Sequence, residues 1–133
     1  MDNTITYKRI LIIACIASIL LGVFLHFAFN LFGQNSIVGL FAPVNESVWE
    51  HLKLIFVPFT AFSIGFFFYT KKKFSNMLLT TLFGNIVGMF VVVTLYYLGT
   101  MIFSEDNMVY NIIIFALGMI SSYFVLYFGI YNE

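Results

Sequence analysis

The sequence has little charge and a single cysteine. Asp, Glu, Lys and Arg make up 9% of its 133 residues, where soluble domains carry about 25%. That shortage excludes an ordinary water-soluble globule. The formal net charge is zero, so nothing supports nucleic-acid binding, which needs a basic surface. With only Cys15, neither an intramolecular disulfide nor a cysteine-pair metal site can form. Cys15 lies in an apolar run and reads as a small packing residue. Gly-rich phosphate loops, His-x-x-x-His or Glu-x-x-His pairs and nucleophile elbows are also missing, so no cofactor is assigned.

What fills the chain instead is apolar. Hydrophobic residues make up 62% and the mean hydropathy is +1.01, which places the protein in a lipid bilayer. A span needs roughly 20 apolar residues, because the hydrocarbon core is about 30 Å thick and a helix rises about 1.5 Å per residue. The expected fold is an all-α, polytopic bundle of four transmembrane helices with short loops, forming one domain over residues 1–133. The spans are expected at about 10–32, 46–70, 77–103 and 108–131. The first apolar run is too long for the core of a cleaved secretory signal and shows no cleavage site. Direction follows from the excess of Lys and Arg on the cytoplasmic side. Lys8 and Arg9 precede the first span, and Lys71, Lys72 and Lys73 separate the second from the third. Both termini are therefore expected in the cytoplasm. The other side carries Glu46, Glu50, Glu105, Asp106 and Lys53.

The stretch "ESVWEHLK" (residues 46–53) is unusual for such a chain. Only 16 apolar residues run from Leu54 to Tyr69, too few to span. Counting back about 20 residues from Thr70 puts the outer boundary near Glu50 and His51, so the polar groups lie at the edge of the hydrocarbon. A plain helix start accounts for much of this. Asn45 can cap, and Ser47-x-x-Glu50 has capping-box spacing, in which Ser47 accepts a backbone N–H and Glu50 reaches back. Glu46 and Glu50 suit the positive end of the helix dipole, and Glu50 can pair with Lys53 three residues on. His51 is less well explained. On the first helix, Ala14, Ser18, Gly22, His26 and Asn30 recur at steps of four, which predicts one protein-facing stripe. His26 stands about 24 Å along the helix from Ile10 and Glu50 about 30 Å from Thr70, so the two levels match. Around the second helix, Glu46, Glu50 and Lys53 share an arc with Trp49, beside His51.

The expected site is thus a polar pocket on the outer side made by His26, Asn30, Asn45, Glu46, Trp49, Glu50, His51, Lys53 and Asn111. Ionisable residues within a membrane default to function. Residues 33–44 are too apolar for an exposed loop and are expected to close over the pocket as a lid or re-entrant piece. Of the carboxylates, Glu50 is expected to supply the site's charge and Glu46, nearer water, less. The two histidines with Glu50 offer a divalent metal site, a minority reading because the spacing is not diagnostic. Elsewhere, Gly84-x-x-x-Gly88, Asn85, Gly118, Ser121 and Ser122 read as helix-packing residues. Tyr69, Tyr127 and Tyr131 read as interfacial anchors.

The segment "PVNESVWEHLKL" (residues 43–54) resembles one in an uncharacterised family of small bacterial integral membrane proteins. That resemblance implies a helical bundle in a bacterial cytoplasmic membrane, with Asn45, Glu46, Trp49, Glu50 and His51 in the family's characteristic site. In size and span count the chain also looks like small multidrug transporters and fluoride channels, whose motifs it lacks; that likeness is one of fold alone. The leading functional expectation is binding or translocation of a small polar or cationic solute, or of protons. Two alternatives stay open. One is a membrane-embedded enzyme using Glu and His as acid and base, or a metal, on a lipid-like substrate. The other is a non-catalytic accessory subunit. The lipid bilayer is the expected partner, with a homo-oligomer or a partner membrane protein compatible with the pattern.

The orientation is directly testable. In a Cys15→Ser background, a membrane-impermeant maleimide added outside cells should label Asp106→Cys and spare Lys72→Cys. External labelling of position 72 would invert the topology.

Overall fold

The computed structural model describes residues 3–71, 74–104 and 106–131. Six helices follow one another: α1 (Asn3–Leu31), α2 (Ser36–Phe41), α3 (Val48–His51), α4 (Lys53–Thr70), α5 (Phe74–Ile102) and α6 (Met108–Tyr131). No strand occurs among the described residues. Four stretches are long and apolar enough to cross a membrane: 4–31, 48–70, 76–102 and 108–131. This is the build of a multi-pass membrane protein. The fourth stretch has the expected bounds. The first helix begins seven residues before its expected start at 10, because hydropathy reports the apolar part of a helix and not its hydrogen-bond ladder. Lys72, Lys73 and Glu105 lie outside the described residues.

Several helix ends have a local cause. Asn35 accepts the Ile37 N–H through its side chain at 2.8 Å and starts α2. Asn107 accepts the Tyr110 N–H at 3.0 Å at the start of α6. Lys71 ends α4 in the left-handed region at φ 52°, with its N–H on the Phe67 carbonyl.

Lipid tails are as apolar as leucine, so helix association here rests on close packing and polar contacts. The most extensive pairing is α5 with α6. A methyl group added at Gly88 would meet the Gly118 carbonyl at 2.8 Å and the Ser122 side chain. One added at Gly118 would meet the Gly88 carbonyl at 2.9 Å. Gly84 lies against the Phe59 ring and the Ser122 carbonyl. The Gly84-x-x-x-Gly88 pair is therefore where the two backbones come closest. Ser122 is fully buried there, its hydroxyl donating to the Gly118 carbonyl at 3.2 Å. Ser121 departs from the expected closed contact. It is half-buried, donates to its own helix at Leu117, and lines an apolar groove of about 570 Å³ with Phe83, Phe124 and Phe128.

Helix α4 runs through the middle, with Ile55, Pro58, Phe59 and Ser63 fully buried. Pro58 has no N–H, so the Leu54 carbonyl loses its α-helical donor. That carbonyl faces Gly22 of α1, 3.2 Å from where a methyl would stand. Among the described residues, two side-chain pairs cross between helices in the interior. The Ser18 and Tyr123 hydroxyls are 2.7 Å apart between α1 and α6. The Asn85 amide donates to the Thr60 hydroxyl of α4 at 2.9 Å, the interhelical role expected of it. Ser63 Oγ and Asn85 Oδ1 have no hydrogen-bond partner among the described residues. Tyr131 ties the far end of α6 to α1 by donating to the Thr4 carbonyl at 2.7 Å.

The glycines separate packing from propensity. Gly118→Ala should destabilise the bundle by about 1–3 kcal/mol, the cost of overpacking a close contact. Gly65, with nothing within 4 Å of an added methyl, should gain about 0.5–1 kcal/mol on change to Ala. Reversible unfolding of the two variants in mixed micelles measures both. Equal responses would contradict the packing assigned to Gly118.

Candidate functional site

The polar residues of "ESVWEHLK" gather at the end of the bundle where α2 lies. Lys8, Arg9 and Lys71 are at the opposite end. The turn before α3 is built from the sequence's own capping groups. Asn45 Oδ1 accepts the Ser47 N–H at 2.9 Å, and Ser47 Oγ accepts the Glu50 N–H at 3.3 Å. Half of the capping box is therefore present. The reciprocal half is not, because Asn45 has taken the Ser47 amide.

Glu50 is occupied elsewhere. Its Oε2 accepts from Lys53 Nζ at 2.5 Å and from the Val44 N–H at 3.2 Å. Lys53 Nζ also donates to the Gly39 carbonyl of α2 at 2.8 Å. The pair spans i to i+3, with about a quarter of each side chain exposed. Glu50 and Lys53 together latch residues 39–44 onto the bundle. Residues 33–44 do fold back, as a six-residue helix. Its Gly39 is buried against Phe29 and Val44, and its Ile37, Leu40 and Phe41 face outward.

Glu46 precedes the helix and does not share an arc with Glu50 and Lys53. Its Oε2 lies 3.4 Å from His51 Nε2, with the Glu46 side chain 85% exposed and that of His51 25%. His51 Nδ1 is 2.8 Å from the Ser47 carbonyl. A carbonyl only accepts, so Nδ1 carries a hydrogen and Nε2 points at Glu46. His26 of α1 faces the same ring, centroid to centroid at 5.1 Å. One ligand-type atom from each of His26, Glu46 and His51 lies within 4.8 Å of the others. The third member of the histidine cluster is thus Glu46, where the sequence suggests Glu50.

Three expected members stand apart. Asn30 is exposed, because steps of four overshoot the helical repeat of 3.6 by about 40° each. Four steps from Ala14 carry Asn30 about 160° round. Ala14, Ser18 and Gly22 stay on the buried face, which continues at Ala28. Asn111 donates to Asp106 at 2.7 Å and lines a small groove between α5 and α6 with Tyr96, Gly99 and Tyr110. Trp49 is 68% exposed. The sequence reading missed the Ser47 carbonyl and the Val44 amide, which are backbone groups and leave no trace in residue type. It also missed Tyr123 and Thr60, whose polar groups deep within apolar runs were the available signal.

A model of a family of unknown function, DUF6512, matches residues 1–133. The chain belongs to the DUF6512 family. No curated protein and no solved structure matches it.

The latch has a measurable consequence. Lys53→Met removes the donor to Gly39 and leaves Glu50 with the Val44 amide alone. Hydrogen exchange at residues 37–42 should then quicken about tenfold, as expected for losing a charge-assisted hydrogen bond of about 1.5 kcal/mol. Unchanged exchange would mean that α2 is held by its Gly39 packing.

Proposed function

We propose that this DUF6512 protein is a receptor, in a bacterial cytoplasmic membrane, for a small cationic solute arriving from outside. Translocation would follow from that capture. The supporting observation is the convergence of His26, Glu46 and His51 from two helices and the turn between them. A chain with six acidic residues and two histidines has brought both histidines and one carboxylate to a single point. Lys53 strengthens the case indirectly. It neutralises Glu50 and, among the described residues, leaves Glu46 with His51 and no amine, so the cluster keeps a net attraction for cations. The positive-inside bias of Lys8, Arg9 and the 71–73 run orients the cluster outward.

The test is cation capture by purified protein in lipid vesicles, with tetramethylammonium and zinc as probes. Saturable binding of at least one is expected. Glu46→Gln should weaken it about tenfold, the equivalent of about 1.4 kcal/mol for one lost charge interaction. Glu50→Gln should weaken it less, because that carboxylate is committed to Lys53. Indifference to Glu46→Gln would remove the cluster as the binding site.

A further inference from the structure

We infer that His26, Glu46 and His51 form a binding site for one divalent zinc-type ion. The inference rests on the cation-receptor reading and names the cation. Zinc bonds to imidazole nitrogen at about 2.0–2.1 Å and to carboxylate oxygen at about 2.0–2.2 Å. At the tetrahedral angle, two such ligand atoms stand about 3.3–3.5 Å apart. His51 Nε2 and Glu46 Oε2 are 3.4 Å apart. That is longer than the usual N–H···O hydrogen bond of about 2.7–3.2 Å, and it equals one edge of a zinc tetrahedron. The remaining ligand atom comes from His26 within the 4.8 Å limit of the set, and a bound ion would draw it in by the remaining distance of about 1–1.5 Å.

The contact behind His51 is an independent observation. A metal-bound histidine normally gives its other N–H to a carbonyl or carboxylate, which fixes the tautomer and the ring direction. His51 Nδ1 makes that bond to the Ser47 carbonyl at 2.8 Å, leaving Nε2 free for the ion. The Ser47 carbonyl is itself held in place by the Asn45 cap on the Ser47 amide and by the Ser47 hydroxyl on Glu50. The turn that starts α3 therefore also aims the imidazole.

Ligand type narrows the ion. Two imidazoles and one carboxylate suit zinc and neighbouring first-row ions, whereas magnesium and calcium take oxygen ligands. Three protein ligands leave a fourth tetrahedral position open, as in sites that exchange their ligand, and unlike closed structural zinc sites. Glu46, the most exposed of the three, stands at the mouth.

The experiment is zinc titration of the full-length protein in detergent or nanodiscs, with X-ray absorption of the zinc-loaded wild type. One zinc per chain is expected, with two imidazole scatterers and no displacement by magnesium. His26→Gln and His51→Gln should each weaken zinc at least about tenfold, with thermal melting confirming their fold. If either variant fails to fold, the wild-type absorption spectrum decides alone. Zinc bound without imidazole scattering would overturn the assignment. Tetramethylammonium binding that depends on Glu46, with no zinc retained, would overturn the zinc site and leave the cation receptor standing. Binding of neither probe would overturn both.

Discussion

Lys53 carries a full positive charge into the edge of an apolar bundle, and such a charge has to be matched there. It finds a carboxylate on α3, three residues before it, and a backbone carbonyl on the segment that folds over it. The other arrangements at this end follow from that. Glu50 is drawn away from the capping role its spacing suggests, and Asn45 fills it instead. Glu46 is left with the histidines. The α2 segment is held by the carbonyl of its one buried residue, Gly39, whose lack of a side chain lets Phe29 and Val44 approach. Replacing the amine would loosen α2, release a carboxylate and alter the company kept by the other.

The helical layout was largely readable from the chain. Long apolar runs of the right length have few alternatives, since unsatisfied backbone groups are not tolerated in lipid. The small residues of the α5–α6 contact were readable for the same reason: Gly84 and Gly88 have little use on a lipid-facing surface. The site was readable only in part. Spacing predicted that His26 would reach the level of His51, and the two rings do face each other. Spacing did not separate the two carboxylates, because that choice depends on where the helix begins. Starting at Val48 leaves Glu46 in the preceding turn, and a shift of two residues reassigns its partner. Asn30 was misplaced by extending a four-residue rule beyond the length over which it tracks one face. Asn111 was placed by depth alone, and depth does not say which pair of helices a side chain lies between.

Among the described residues, two interior side-chain pairs cross between helices. Ser18 with Tyr123 fixes α1 against α6, and Asn85 with Thr60 fixes α5 against α4. In lipid these pairs set rotation and register, which nonspecific apolar packing leaves loose. The carbonyl of Leu54, short of a donor because of Pro58, sets the same relation between α4 and α1 where Gly22 meets it. That contact lies within a turn of Lys53 and one helical turn from His26, so the spacing of α1 and α4 is fixed close to the cluster itself.

Helix α2 has no charged residue, and Ile37, Leu40 and Phe41 point away from the protein. In a bilayer its depth would depend on the lipid as well as on the bundle beneath. Through the Val44 amide and the Gly39 carbonyl it is strapped to Glu50 and Lys53, the neighbours of His51 in sequence. Membrane thickness and lateral pressure would therefore act on the same turn that holds the His51 ring. The lipid composition around the protein would become one of the variables that set the geometry of its histidine pair.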